Sequence, residues 1–144
     1  MKINKLIKTK LNIDINGIKT DSREITNGDI FVPTLGNIDK YQYIDEAIKN
    51  GVKLIVTDKD ILEKIQYIKV DDVNETLLKM LDRFYNYPLL SSKLIGVTGT
   101  DGKTTTASII RDMLKGASIG TNGLEFNDLH EDLHNTTPSL DKIY

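Results

Sequence analysis

Residues 94–106 read Leu-Ile-Gly-Val-Thr-Gly-Thr-Asp-Gly-Lys-Thr-Thr-Thr, an apolar run that turns through glycines into a basic, hydroxyl-rich segment. That order leaves few folds open. The run predicts a strand over 94–97, and the spacing after it predicts a helix from Lys103 to about Leu114 that buries Ala107, Ile110 and Met113 or Leu114. Ala117 to Gly120 then reads as a second strand. Gly99 and Gly102 let the backbone turn tightly and come close to an anion, and the first amides of the helix point at it with the positive end of the helix dipole behind them. Lys103 neutralises the β- and γ-phosphates of a bound nucleotide, and the Thr104 hydroxyl coordinates the accompanying Mg²⁺. The loop is a variant, because Val97 stands where the usual pattern has its first glycine. An incidental glycine-rich turn is the alternative, and the register of strand, Gly-x-x-Gly-Lys-Thr-Thr and helix weighs against it.

Length limits what surrounds this loop. With 144 residues and 39% hydrophobic content the chain holds one full domain and the start of another. The 19 basic and 21 acidic residues are spread along the sequence, so no basic stripe points to nucleic acid. The absence of cysteine excludes disulfides, thiolate metal sites and a cysteine nucleophile, in keeping with a reducing compartment. Charge interrupts Met1 to Lys8 every two or three residues, so that segment lacks the apolar core of a signal peptide. No other run approaches membrane-spanning length, and a cytoplasmic protein without membrane partners is expected.

Upstream of the loop, strands and helices alternate. Asp29 to Thr34 reads as a strand that Pro33 places at an edge or stops early. Tyr41, Ile44, Ala47 and Ile48 share one helical face between Asp39 and Asn50, and Gly51 is the expected left-handed stop. Lys53 to Thr57 and Tyr67 to Val70 read as strands. Val73, Leu77, Leu81 and Phe84 mark a helix to about Tyr87, opened by Asp72 and Glu75 in a capping-box pattern. The alternation predicts α/β architecture with a mainly parallel sheet. Pro88 to Ser92 reads as a linker, dividing a domain over 1–92 from the beginning of a phosphate-loop α/β domain over 93–144.

Three elements carry a resemblance to a known family. Thr20-Asp21-Ser22-Arg23 with Asn27-Gly28-Asp29-Ile30-Phe31-Val32 and Gly36 is the first. Gly96 to Thr106 is the second, and Gly120-Thr121 with Asn135-Thr136-Thr137-Pro138 is the third. Together they resemble the Mur ligases, and within them the members that add a third amino acid to UDP-N-acetylmuramoyl-dipeptide. The resemblance implies an ATP-dependent ligase of peptidoglycan synthesis with Mg²⁺ as cofactor. Residues 1–92 would be its UDP-sugar domain and residues 93–144 the truncated start of its central ATP-binding domain. It implies that Thr20, Ser22, Asn37, Ile38, Asn135, Thr136 and Thr137 bind the UDP-sugar. Gly99, Thr100, Asp101, Gly102, Lys103, Thr104 and Thr105 would bind ATP, with Lys103 catalytic. Such ligases phosphorylate a substrate carboxylate and let an amine attack the acyl-phosphate, which requires positioning and charge neutralisation more than a protein nucleophile.

The departures from the family pattern also matter. Asp101 stands where the family has Asn, placing a carboxylate beside the phosphates. Asp39-Lys40-Tyr41-Gln42-Tyr43-Ile44 replaces the family's Asp-Gly-His-x-Phe-Ile. The residues that in the family follow the position of Tyr144 include a carbamylated lysine and the domain that binds the incoming amino acid, so the 144-residue chain alone is expected not to ligate. Lysine and diaminopimelate both stay open as the added residue.

Two other readings compete. One is a UDP-sugar-binding or nucleotide-binding module without catalysis. The other is a zinc hydrolase, because His130-Glu131-Asp132-Leu133-His134 matches His-Glu-x-x-His, in which two histidines one helical turn apart hold the metal. A solvated polar turn is preferred there, since a third ligand and a surrounding cleft are lacking in the sequence.

Overall fold

The computed structural model describes residues 1–34, 40–62, 64–133 and 138–144. They form two compact units: Met1–Ser91 together with Leu140–Tyr144, and Ser92–Ser139.

In the first unit, β1 (Ile18–Lys19), β2 (Ile30–Phe31), β3 (Leu54–Thr57) and β4 (Tyr67–Lys69) form a four-stranded sheet in sequence order. Every pairing is parallel, with Ile18 opposite Ile30, Ile30 opposite Leu54 and Ile55 opposite Tyr67. Parallel strands need crossover connections that cover both faces, which is why β3 is buried at all four positions. Successive side chains point to opposite faces and divide the core in two. Ile30, Val32, Leu54 and Val56 meet Val73, Leu77, Met80 and Leu81 of helix α2 (Val73–Phe84). Phe31 and Ile55 meet Ile44 and Ala47 of helix α1 (Ile44–Lys49). Each fully buried Leu or Met contributes about 1.5–3 kcal/mol.

The sequence-based boundaries hold with local shifts. β2 stops at Phe31, short of Pro33, and lies between β1 and β3 instead of at an edge. The segment before α1 is a 3₁₀ turn, Lys40–Tyr43, and Gly51 is left-handed at φ +85°. Asp72 caps α2 by accepting from the Glu75 amide at 2.8 Å, a contact worth about 1 kcal/mol. Only half of the capping box forms, because the Glu75 carboxylate accepts from Lys79 at 2.6 Å, one turn along. α2 ends at Phe84, ahead of the expected Tyr87, where Asn86 and Tyr87 take φ of +60° and +55° and break the helical path.

A short helix, α4 (Leu140–Ile143), also belongs to this unit, with Leu140 and Tyr144 packed on the cluster that α2 completes.

The second unit contains α3 (Lys103–Leu114) and an antiparallel meander of β5 (Ala117–Gly120), β6 (Gly123–Phe126) and β7 (Leu129–Glu131). Gly123 has φ +89°, and a Cβ there would lie 2.2 Å from the Glu131 carbonyl oxygen, so the β5–β6 turn requires glycine. Residues 94–97, expected as a strand, are not one: among the described residues no neighbour pairs with them, and Leu94 stays 75% exposed. A strand exists only through its hydrogen-bonding partner, and an apolar run cannot supply that by itself. The same shortage corrects the expected face of α3. Ala107 and Ile110 are half-buried, whereas Met113 and Leu114 are 78% and 60% exposed. Among the described residues, no helix is long and apolar enough to cross a membrane.

Candidate functional site

α3 begins at the glycine loop. Gly102 occupies its N-cap in a left-handed conformation, φ +73°, and no side chain caps the helix. The first intrahelical bond runs from the Thr106 amide to the Gly102 carbonyl at 2.9 Å, so the amides before it have no intrahelical acceptor. Gly99 bends the loop one turn earlier at φ +153°. The Lys103 ammonium folds back over the loop, donating to the carbonyls of Gly99 at 2.6 Å and Thr100 at 3.0 Å. Thr100, Asp101, Thr104 and Thr105 are all exposed around it. An uncapped helix start with an ammonium held at its mouth suits a polyphosphate, which would take the place of the missing capping oxygen.

Behind the loop, a groove of about 510 Å³ runs between the 93–97 segment, α3 and β5. Its apolar lining, including Leu94, Val97, Ile110 and Leu114, is that of an open core face more than of a ligand pocket. Arg111 fastens α3 to the meander through Glu125 on β6, and its guanidinium also pairs with the neighbouring Asp112 on α3 at 2.8 Å.

In the first unit, Thr20 and Ser22 follow β1, where the chain leaves the sheet through a 3₁₀ turn, Ser22–Glu24. Both are buried, at 1% and 3% exposure. Asp21 caps the turn by accepting from the Arg23 amide at 3.0 Å. The Ser22 hydroxyl donates to the Glu46 carboxylate, and Asn50 donates to the Ser22 carbonyl at 2.9 Å. Thr20 donates through its amide and hydroxyl to Asp141, at 3.2 and 2.7 Å. At the opposite end of the β1–β2 pair, buried Asp29 accepts from the Thr26 amide and hydroxyl at 2.9 Å each. A Cβ at Gly17 would lie 2.7 Å from that carboxylate.

Thr20 and Ser22 are thus brought together, and both are engaged within the chain. Asn37, Ile38, Asn135, Thr136 and Thr137 lie outside the described residues, as do Gly36 and His134. Sequence reasoning missed Glu46, Asn50 and Asp141. Glu46 and Asn50 stand four residues apart, one helical turn, which is a readable signal; Asp141, 121 residues from Thr20, gives none.

The zinc pattern meets a different backbone from the one it needs. His130 and Glu131 lie on β7, where an extended chain points them to opposite faces, and His130 is 4.0 Å from Glu125. Among the described residues no group of three or more potential metal ligands forms.

In class, this is an α/β protein in which a parallel-sheet unit is followed by a glycine loop that opens a helix on Lys-Thr-Thr. Residues 97–143 match the Mur ligase middle domain. The chain is 37% identical over 96% of its length to the UDP-N-acetylmuramoyl-L-alanyl-D-glutamate--2,6-diaminopimelate ligase of Clostridioides difficile, and 39% identical over 89% to that of Fusobacterium nucleatum. Among solved structures it resembles the MurF ligase of Thermotoga maritima in complex with ADP, with TM-score 0.53, 32% identity and 68% of this chain covered. It also resembles the UDP-N-acetylmuramoylalanyl-D-glutamyl-2,6-diaminopimelate--D-alanyl-D-alanyl ligase of Acinetobacter baumannii, with TM-score 0.55 at 29% identity over 69% of the chain. Those matches take in 23% and 22% of the two structures. The chain belongs to the Mur ligase family. It spans about 30% of the length of the curated relatives it matches.

Proposed function

We propose that the chain is the amino-terminal part of an ATP-dependent carboxylate-amine ligase acting in cytoplasmic peptidoglycan synthesis. The ligase adds the third amino acid to UDP-N-acetylmuramoyl-L-alanyl-D-glutamate. The observation that carries this reading is a similarity to ligases of that name that runs through both units, over 96% of the chain. The relatives' names favour diaminopimelate over lysine as the added residue.

In this reading, residues 1–92 hold the UDP-sugar and residues 93–144 begin the ATP domain. ATP, with Mg²⁺, supplies the phosphoryl group that activates the substrate carboxylate. The chain's own contribution is placement and charge. The amides at the start of α3 would hold phosphate oxygens, Lys103 would exchange the Gly99 carbonyl for the β- and γ-phosphates, and the Thr104 hydroxyl would be available to hold the metal. Asp101 adds a carboxylate that the ammonium of Lys103 offsets. Ser22 and Thr20, with Asn37, Ile38 and Asn135 to Thr137, bind the UDP-sugar.

Calorimetry of the 144-residue chain with UDP-N-acetylmuramoyl-L-alanyl-D-glutamate tests this reading. Binding that weakens about tenfold in Ser22→Ala is expected, the loss of one charge-assisted polar contact. Binding indifferent to Ser22, or none in any variant, overturns it.

A further inference from the structure

The last five residues do more than end the described chain. Asp141 sets its two carboxylate oxygens on the two donors of Thr20, the amide at 3.2 Å and the hydroxyl at 2.7 Å. Lys142 pairs with Glu24 at 3.0 Å, on the 3₁₀ turn that starts at Ser22. Tyr144 donates its phenol to Asp82 at 2.7 Å and lies with its ring 6.2 Å from that of Tyr85. Leu140 and Tyr144 pack against the apolar cluster of α2 and the sheet. The contacts combine apolar burial, two ionic or charge-assisted links and a phenol bond along one short segment, and they leave Thr20 1% exposed.

A backbone amide and a hydroxyl on one residue form a two-pronged donor that recognises any group with two adjacent acceptor oxygens. A carboxylate and a phosphate both qualify. Asp141 fills that donor pair from within the chain. We infer that residues 140–144 form a clasp that competes with ligand at Thr20, so that the sugar nucleotide binds here only when Asp141 has let go. This rests on the reading of Thr20 and Ser22 as sugar-nucleotide residues. Closed clasp and bound ligand are two states of one site, and the measured affinity equals the intrinsic one scaled by the fraction of molecules with the clasp open.

The test uses the 144-residue chain, with UDP-N-acetylmuramoyl-L-alanyl-D-glutamate as probe, followed by calorimetry, and with amide hydrogen exchange at Thr20 as a readout independent of ligand. Asp141→Ala removes the competing carboxylate and should tighten binding about tenfold while speeding exchange at the Thr20 amide. Tyr144→Phe loosens the far end of the clasp without touching Thr20 and should tighten binding by a smaller factor, which guards against a folding defect in the first variant. Affinity unchanged or weakened in Asp141→Ala, while binding still depends on Ser22, overturns the clasp and leaves the sugar-nucleotide reading standing. No binding in wild type or either variant overturns that reading and the competition with it.

Discussion

The ammonium of Lys103 donates to the carbonyl oxygen of Gly99 across 2.6 Å, so the loop that would receive a polyphosphate is closed on its own lysine. A neutral carbonyl is a weaker partner for a cation than a phosphate oxygen, and a bound polyphosphate wins that competition. The exchange puts the positive charge where the transferring phosphoryl group develops negative charge. In a ligase that contains this chain, Lys103→Ala should lower kcat by about a hundredfold or more. In the 144-residue chain alone the effect has no rate to appear in, and Mg-ATP should bind weakly or not at all. Steady-state kinetics and calorimetry check the two halves; tight Mg-ATP binding to the isolated chain would contradict the second.

Ser22 depends on α1. Its hydroxyl is buried and its proton is committed to Glu46, so Glu46→Ala leaves a donor without an acceptor in a dry place. A loss of about 1–3 kcal/mol in urea unfolding is expected. Glu46→Gln keeps an acceptor oxygen and should recover most of it. Equal stability of all three proteins would mean that the hydroxyl finds another partner.

The clasp also has a pH signature. Burial, with the hydrogen bond to Asp82 and the charge of its carboxylate, pushes the Tyr144 phenol up to about 12 from an ordinary value of 10.0. Docking favours the neutral phenol, so its contribution is fully present below pH 10 and is lost as pH rises through about 12. Ultraviolet titration of tyrosinate should show a late phenol that disappears in Tyr144→Phe. A titration curve unchanged by that substitution would place Tyr144 in solvent.

The division at the 88–92 segment makes a prediction for proteolysis. Residues 93–98 are irregular and 93–96 exposed, next to the 3₁₀ turn Pro88–Ser91, and Lys93 offers trypsin a cleavage point there. Brief digestion should release a fragment ending near Lys93 that retains the parallel sheet by circular dichroism. First cuts within residues 53–70 would argue against an independently folded first domain.

Much of the first unit was legible because its signals are local. Gly51 stops α1 through a backbone conformation, Asp72 starts α2 by satisfying an orphan amide, and the run from Asp29 reads as a short strand that ends before Pro33. The start of α3 was legible for the same reason, since Gly102 and Lys103 act within one turn. The errors fall where an element needs a distant partner. Residues 94–97 have the composition of a buried strand, and Met113 and Leu114 the spacing of a buried face, but neither property provides the surface that would cover them.

The sequence by itself determined the alternation of strands and helices, the glycine loop with its lysine, and the family to which those residues belong. Each of these depends on dihedral preferences, caps and spacing that act over a few residues. Tertiary structure alone decided that Thr20 answers to Asp141, that Ser22 answers to Glu46, and that Tyr144 finds Asp82 from 62 positions away. Those pairings are choices among many chemically equivalent carboxylates. Only the closing of the chain around a shared core brings one donor within 3 Å of one acceptor and excludes the rest.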